Sequence, residues 1–292
     1  MRIVSLLPSA TEIVYALGLA DELVGVTFEC DHPPDPRVGR AVVVGGLDTH
    51  GLAPDEIDAL VRARIAAGDD LYRLDEDRFR DCDPTHVLTQ DLCRVCALPA
   101  GDADDALARL GCDADVTTLD PHTLDDVLAT IDAAGAALGV PDRAAALVAR
   151  LSRRTAGVAA RVDGLDRPSV FVLEWSQPPF LSGHWVPDLV VAAGGDPVLA
   201  APGTRSVPTD WATIASHDPD IVVVAPCGFG LAGAVAQAET VVDRLPERSQ
   251  VWAIDADGLV VRPGPRLVDG IEAMSQIFHP SGAAHDAIRR IR

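Results

Sequence analysis

Two thiols in "TQDLCRVCALP" (residues 89–99) are where this chain first suggests chemistry: Cys93 and Cys96 form a CxxC directly after an apolar run. That spacing serves a dithiol redox pair, half of a metal site, or simple packing of small buried thiols. A redox pair needs the motif at the opening of a helix, whose positive end lowers the thiol pKa. Here Pro99 and Gly101 follow almost at once, which speaks against that use. Cys30 and His32 in "ECDHPP" and Cys227 in "PCGFG" supply further soft donors. Thiolate and imidazole together favour zinc, copper(I) or an iron–sulfur centre. The candidate metal ligands are therefore Cys30, His32, Cys93, Cys96 and Cys227, with small thiols packing a cleft floor as the standing alternative. Cys82 and Cys112 fall in helix-like and turn-like positions and read as structural.

A second group is aromatic. Trp175, His184 and Trp185 lie within "EWSQPPFLSGHW" in a chain with only 4% aromatic residues. Indole faces and prolines suit a large, flat, partly apolar ligand; filling the core of the second half is the alternative. Arg262 and Arg266 in "RPGPR" offer planar bidentate donors to a ligand's carboxylates or amides, or else cap strand and helix ends. No nucleophile elbow, HExxH or early GxGxxG is present, and a Walker loop would need lysine, which the chain lacks. A binder is favoured over an enzyme. The enzyme alternative is a metal- or iron–sulfur-dependent one with the Cys loops as ligands.

Strand and helix signals alternate along the chain, which predicts an α/β fold. "RIVSLL" reads as a buried strand, "SATE" as a capping box opening a helix from Ser9 to near Gly18, and "ELVGVTF" as the next strand. "DPTHVLTQDLC" (83–93) and "DPDIVVVAPC" (218–227) repeat one pattern: Asp-Pro, a β-rich run, then Cys, each after a short helical stretch. Two similar lobes follow. Between them, Leu124, Val127, Leu128, Ile131 and Leu138 share one helical face. After Gly139 and Pro141 a second stripe runs through Ala144, Val148, Leu151, Thr155, Val158 and Val162. The expected division is residues 1–122, linking helices 123–163, and 164–292.

Ligands of open α/β sheets bind beyond the carboxyl ends of the strands. That rule selects Pro8, Ser9, Asp31, His32, Gln90, Trp175, Pro179, His184, Trp185, Phe229 and Arg262 as ligand-binding candidates, on loops expected to face one cleft. Formal charge is −20, so neither nucleic acid nor an anionic membrane surface is an electrostatic partner. All 24 basic residues are Arg. The apolar run at the N-terminus stops at Pro8, too short for a leader's core, and a cytoplasmic location is expected from it.

These residues carry a family likeness. "RIVSLLPSATEIVYALGLADELVGVT", the helix after residue 141, "GHWVPDLVVAAGG", "DPDIVVVAPCGF" and "RPGPRLVDGIEAM" together resemble the helical-backbone substrate-binding proteins of ABC importers, in the branch for cobalamin (vitamin B12), related to those for iron-siderophores and haem. "ECDHPP" and "TQDLCRVCA" resemble its Cys-bearing cobalamin-binding subgroup. The resemblance implies two Rossmann-like lobes joined by a long rigid backbone helix, and a corrinoid or related tetrapyrrole clasped between them. It also implies docking on a permease through one acid per lobe. Seven residues before Pro84 stands Asp77; the same count from Pro219 gives Ala212, with Asp210 two residues away.

Overall fold

The computed structural model describes residues 1–49, 51–90, 101, 108, 113–281 and 285–292. The chain divides into two compact units, Met1–Pro121 with Leu128–Ala149, and His122–Val127 with Arg150–Arg292.

The first unit carries β1 (Ile3–Ser5), α1 (Pro8–Ala16), β2 (Leu23–Thr27), β3 (Ala41–Gly46), α2 (Pro54–Ala67), β4 (Tyr72–Leu74), α3 (Glu76–Asp81), β5 (His86–Thr89) and β6 (Asp115–Thr118). Its sheet runs β4-β3-β2-β1-β5-β6, parallel throughout except for the β3–β4 pair. Short apolar strands buried on both faces are what a parallel sheet requires. Val4, Leu6, Val43, Val44, Phe79, Cys82 and Val87 form one apolar layer. Burying a side chain such as Phe79, 0% exposed, is worth about 2–3 kcal/mol.

One local expectation is corrected here. The capping box at Ser9 does not form: α1 begins one residue earlier, with Pro8 in its first turn and Leu7 as an N-cap that makes no side-chain hydrogen bond. Proline's fixed φ suits the first helical turn, so Ser9 falls inside the helix and is buried.

The helices α4 (Leu124–Ala137) and α5 (Pro141–Val162) follow. On α5, Ala144, Leu151, Val158 and Val162 of the expected stripe are buried, whereas Val148 and Thr155 are only half-buried and Leu147, not expected from the stripe, is buried in their place. This 22-residue helix is about 33 Å long.

The second unit adds β7 (Ser169–Ser176), β8 (Pro179–Leu181), α6 (Val186–Ala192), β9 (Asp196–Pro197), β10 (Val207–Pro208), α7 (Trp211–His217), β11 (Ile221–Val224), α8 (Leu231–Val241), β12 (Gln250–Ile254), α9 (Ala256–Leu259), α10 (Leu267–Phe278) and β13 (Ile288–Arg290). The sheet order is β10-β8-β7-β11-β12-β13, with β9 also on β7. Strands β7, β11 and β12 are parallel, and Phe171, Leu173, Val222, Val224, Val251 and Ala253 face one core layer with Ile214, Ala234 and Ala238. The close of α6 needs glycine: Gly194 has φ 91°, and a Cβ there would lie 2.6 Å from His279 Nε2.

The repeat seen in the sequence holds in detail. Asp75 caps α3 by accepting from Arg78 N, and Asp210 caps α7 by accepting from Thr213 N. Eight residues on, Asp83-Pro84 and Asp218-Pro219 each place an Asp at φ 45° before the next parallel strand. Asp tolerates the left-handed region better than most side chains, which explains why the same residue type stands at both corners.

Candidate functional site

In each unit the order of strands reverses at one place, and that switch point is where open sheets bind ligands. In the first unit it lies at β1, between β2 and β5. Pro8 and Ser9 follow β1 and Gln90 follows β5, so these three candidates are brought to one end of the sheet. Gln90 is only 5% exposed.

Beneath them lies a shelf of hydroxyls. Ser5 Oγ donates to Leu7 O at 2.8 Å, Thr11 Oγ1 donates to Ser5 Oγ at 2.9 Å, and Thr11 Oγ1 is 3.1 Å from Cys30 Sγ. Thr27 Oγ1 lies 3.4 Å from the same sulfur. Cys30 is thus a buried thiol among hydroxyls at the end of β2, fixing the start of the loop that carries exposed Asp31 and half-buried His32. The side chain of Phe28 in that loop lies over Gly46, where a Cβ would come within 2.5 Å of the ring. Tyr72 Oη donates to Glu29 Oε1 at 3.3 Å beside it.

Cys93 and Cys96 lie outside the described residues, so the largest part of the expected metal set does too. Among the described residues no three His, Cys, Asp or Glu side chains gather as a metal site. Cys82 is buried under β2 with its thiol directed at Val24 O, and burial raises its pKa, as befits a structural residue.

The switch point of the second unit lies at β7, next to β11. Trp175 ends β7 and Phe229 follows β11, and their rings meet at 5.8 Å with an interplanar angle of 53°. The Trp175 indole N–H donates to Gln177 O at 3.0 Å across the turn into β8, where Pro179 pairs with Ser176. Phe229 packs on Gly233: a Cβ there would be 2.6 Å from the ring. Asp257 N donates to Phe229 O at 3.1 Å, and the Asp257 carboxylate pairs with Arg262 at 2.5 Å. Trp175, Phe229 and Arg262 are therefore brought together, and the Arg262 charge is already engaged by Asp257. The exposed Cys227 sits on the same loop as Phe229, its N–H donating to Glu174 O at 3.1 Å.

Trp185 is placed differently. It is 5% exposed, and its indole N–H donates to Val260 O at 2.8 Å; it is a core residue at the start of α6. Trp252 lies within β12 under Arg290 of the paired strand. His184 is half-buried beside Trp185 and 6.3 Å from His122, ring to ring. Glu174 was not anticipated from sequence. Its carboxylate accepts from Gly183 N at 3.2 Å and from Ser206 Oγ at 2.7 Å, holding two loops at the end of β7. A lone Glu next to a Trp carries no sequence signal for that task. Pro8, Ser9, Asp31, His32 and Gln90 belong to the first unit, and Trp175, Pro179, His184, Trp185, Phe229 and Arg262 to the second.

The geometry finds its counterpart among known proteins. Residues 3–256 match the periplasmic binding protein family. A vitamin B12-binding protein of Vibrio cholerae is 25% identical over 278 residues, covering 93% of this chain and 86% of that protein. An uncharacterized ABC transporter substrate-binding lipoprotein of Bacillus subtilis is 25% identical over 301 residues, covering 96% and 80%. In fold, the chain is similar to an apo periplasmic heme-binding protein from Roseiflexus sp. RS-1, with a TM-score of 0.69, 21% identity and coverage of 95% and 97%. These findings correct the cytoplasmic location expected from the N-terminus, since the family is periplasmic and the Bacillus relative is a lipoprotein. The physical reason is plain: the apolar run that ends at Pro8 is β1, a core strand, and it carries no information about compartment. The chain is a two-lobed, helical-backbone α/β substrate-binding protein, not an enzyme, and belongs to the periplasmic binding protein family.

Proposed function

We propose that this protein captures a corrinoid of the cobalamin type for an ABC uptake system, using loops at strand ends. The observation that carries this reading is the Trp175–Phe229 pair at the switch point of the second sheet. A corrin is broad, flat and apolar on its faces, with a fringe of amides. Burying an aromatic side chain against such a face is worth about 1.5–3 kcal/mol, and aromatic pairing adds roughly 0.5–1.5 kcal/mol. Gln90, Asp31 and His32 in the first unit offer donors and acceptors suited to the amide fringe. The vitamin B12-binding relative supports the same choice of ligand.

Docking on a permease is proposed through acids at the two helix starts. Asp77 is the exposed second residue of α3, and Ala212 holds the equivalent place on α7. Asp210, the exposed cap of α7, is then the acid available on the second unit.

Titration with cobalamin, followed by tryptophan fluorescence, tests the ligand. Quenching that saturates at one equivalent is expected. Trp175→Ala should weaken binding by about 10- to 100-fold, the equivalent of about 1.4–2.8 kcal/mol. Undiminished affinity in Trp175→Ala would remove the aromatic pair from the site, and saturable binding of haemin with none of cobalamin would replace the ligand.

A further inference from the structure

The segment between β8 and α6 is built around a histidine in an uncommon state. His184 has φ 51°, in the left-handed region that side chains adopt only at a cost. Its N–H donates to Thr204 O at 2.5 Å and its carbonyl accepts from Gly203 N at 3.0 Å. Gly183 beside it allows a closer approach than any other residue could: a Cβ there would lie 2.4 Å from Ser206 N. Glu174 bonds both sides, Gly183 N on one and Ser206 Oγ on the other. Residues 183–185 and 203–206 are thus fastened together along their backbones.

On this fastened segment the imidazole Nε2 of His184 is buried with no hydrogen-bond partner among the described residues, its ring beside those of Trp185 and His122. Buried polar atoms are nearly always paired, so each exception calls for an account. The groups around it make a positive charge still less welcome. His122 faces it from the loop before α4 at 6.3 Å, and Arg205 acts on it from the partner segment. Burial first, then His122 and then Arg205, hold the His184 pKa below the ordinary histidine value. The neighbouring carboxylates are committed to other groups. Asp126 accepts from His122 N and Thr123 N, and Asp188 on α6 accepts from Leu124 N. Asp125 and Asp126 act on Asp188, and Glu174 holds the two backbones. None of these bonds reaches the His184 ring.

We propose that His184 is the trigger of an acid-operated latch: its neutral ring permits residues 183–185 to stay fastened to 203–206, and taking up a proton drives the two segments apart. A proton placed on Nε2 has no acceptor among the described residues, and the resulting charge is repelled by His122 and Arg205. Opening carries it into water. The sign follows from linkage. An open segment has an ordinary histidine value near 6.5, whereas the latched state binds the proton only at lower pH. The latch is therefore at full strength above about 6.5. It weakens as pH falls through that value, by up to about tenfold per pH unit, until the latched form itself takes up the proton. Glu174 adjoins Trp175, so opening also disturbs the aromatic pair; that consequence rests on the ligand reading, whereas the latch does not.

Amide hydrogen exchange of His184 and Gly203 in the full chain, between pH 7.5 and 5 and corrected for intrinsic chemistry, reads the latch directly. Protection is expected to fall as pH drops below 6.5, while the amides of β11 hold. His184→Asn keeps a residue tolerant of positive φ and should make protection independent of pH. His122→Gln, an exposed change, should shrink the loss by removing one repelling ring. Protection that does not vary with pH would overturn the proposal, as would an equal pH dependence in His184→Asn. If that variant fails to fold, the ring's titration in the native chain by NMR decides: a value at or above 6.5 overturns it. A cobalamin titration at pH 7.5 is separate, and its failure leaves these outcomes unchanged.

Discussion

Asp220 shows how much one side chain can hold in this protein. Its carboxylate accepts from Ser169 N at 2.9 Å and from Ser169 Oγ at 2.6 Å, tying the start of β7 to the start of β11. The Ser169 bonds, with Arg248 nearby, keep its pKa below the usual carboxylate range. Half of the side chain is open to solvent, so the net worth of these bonds is about 1 kcal/mol. Asp220→Ala should lose that amount at pH 7. A depressed carboxylate stabilises above its unfolded value near 3.9 and loses that effect as pH falls through the folded value. The gap between wild type and variant should therefore narrow as pH falls below about 3.9, as urea unfolding at several pH values will show. Other residue roles were half-legible. Trp175 and Phe229 were singled out by type and position, and the fold brings their rings together. Trp185 has the same type and a neighbouring position, yet its indole is satisfied by Val260 O and faces the core. Residue type alone cannot tell these two apart, because the difference lies in which side of the sheet's end each ring meets.

At the scale of elements, the repeated Asp-Pro corner was legible because its physics is local. The capping Asp, a short helix, an Asp with positive φ and a proline specify a helix-to-strand turn within ten residues. Removing either cap, Asp75→Ala or Asp210→Ala, should lower stability in each case, measured by thermal or urea unfolding. Near-equal losses are expected, since the two corners have the same geometry. A much larger loss in one of them would show that its Asp does more than cap. The capping box at Ser9 was misread for an equally local reason: Pro8 starts the helix a residue early, and Ser9 then has no N-cap geometry to use. Helix α2 drew no attention in the sequence, and no residue of it is buried. An element with so little burial leaves a weak hydrophobic pattern to read.

For the whole molecule, charge is the dominant global term. A net charge of −20 makes the folded chain repel itself, and added salt screens that repulsion. The thermal midpoint should rise by several degrees, roughly 1–2 kcal/mol for a chain of this size, between 0.05 and 1 M NaCl. A midpoint that stays flat or falls would show that paired charges outweigh the net excess. The alternation of strands and helices, the two α/β halves and the buried stripe of α5 were determined by the sequence itself. Periodicity, proline and glycine act over a few residues, and each turn of chain carries its own instruction. Which side chains meet was decided only by tertiary structure. The bond from Asp257 N to Phe229 O, the grip of Glu174 on two loops and the orphaned nitrogen of His184 depend on strand order and crossover. Those set distances between residues far apart in the chain, and no local pattern encodes them.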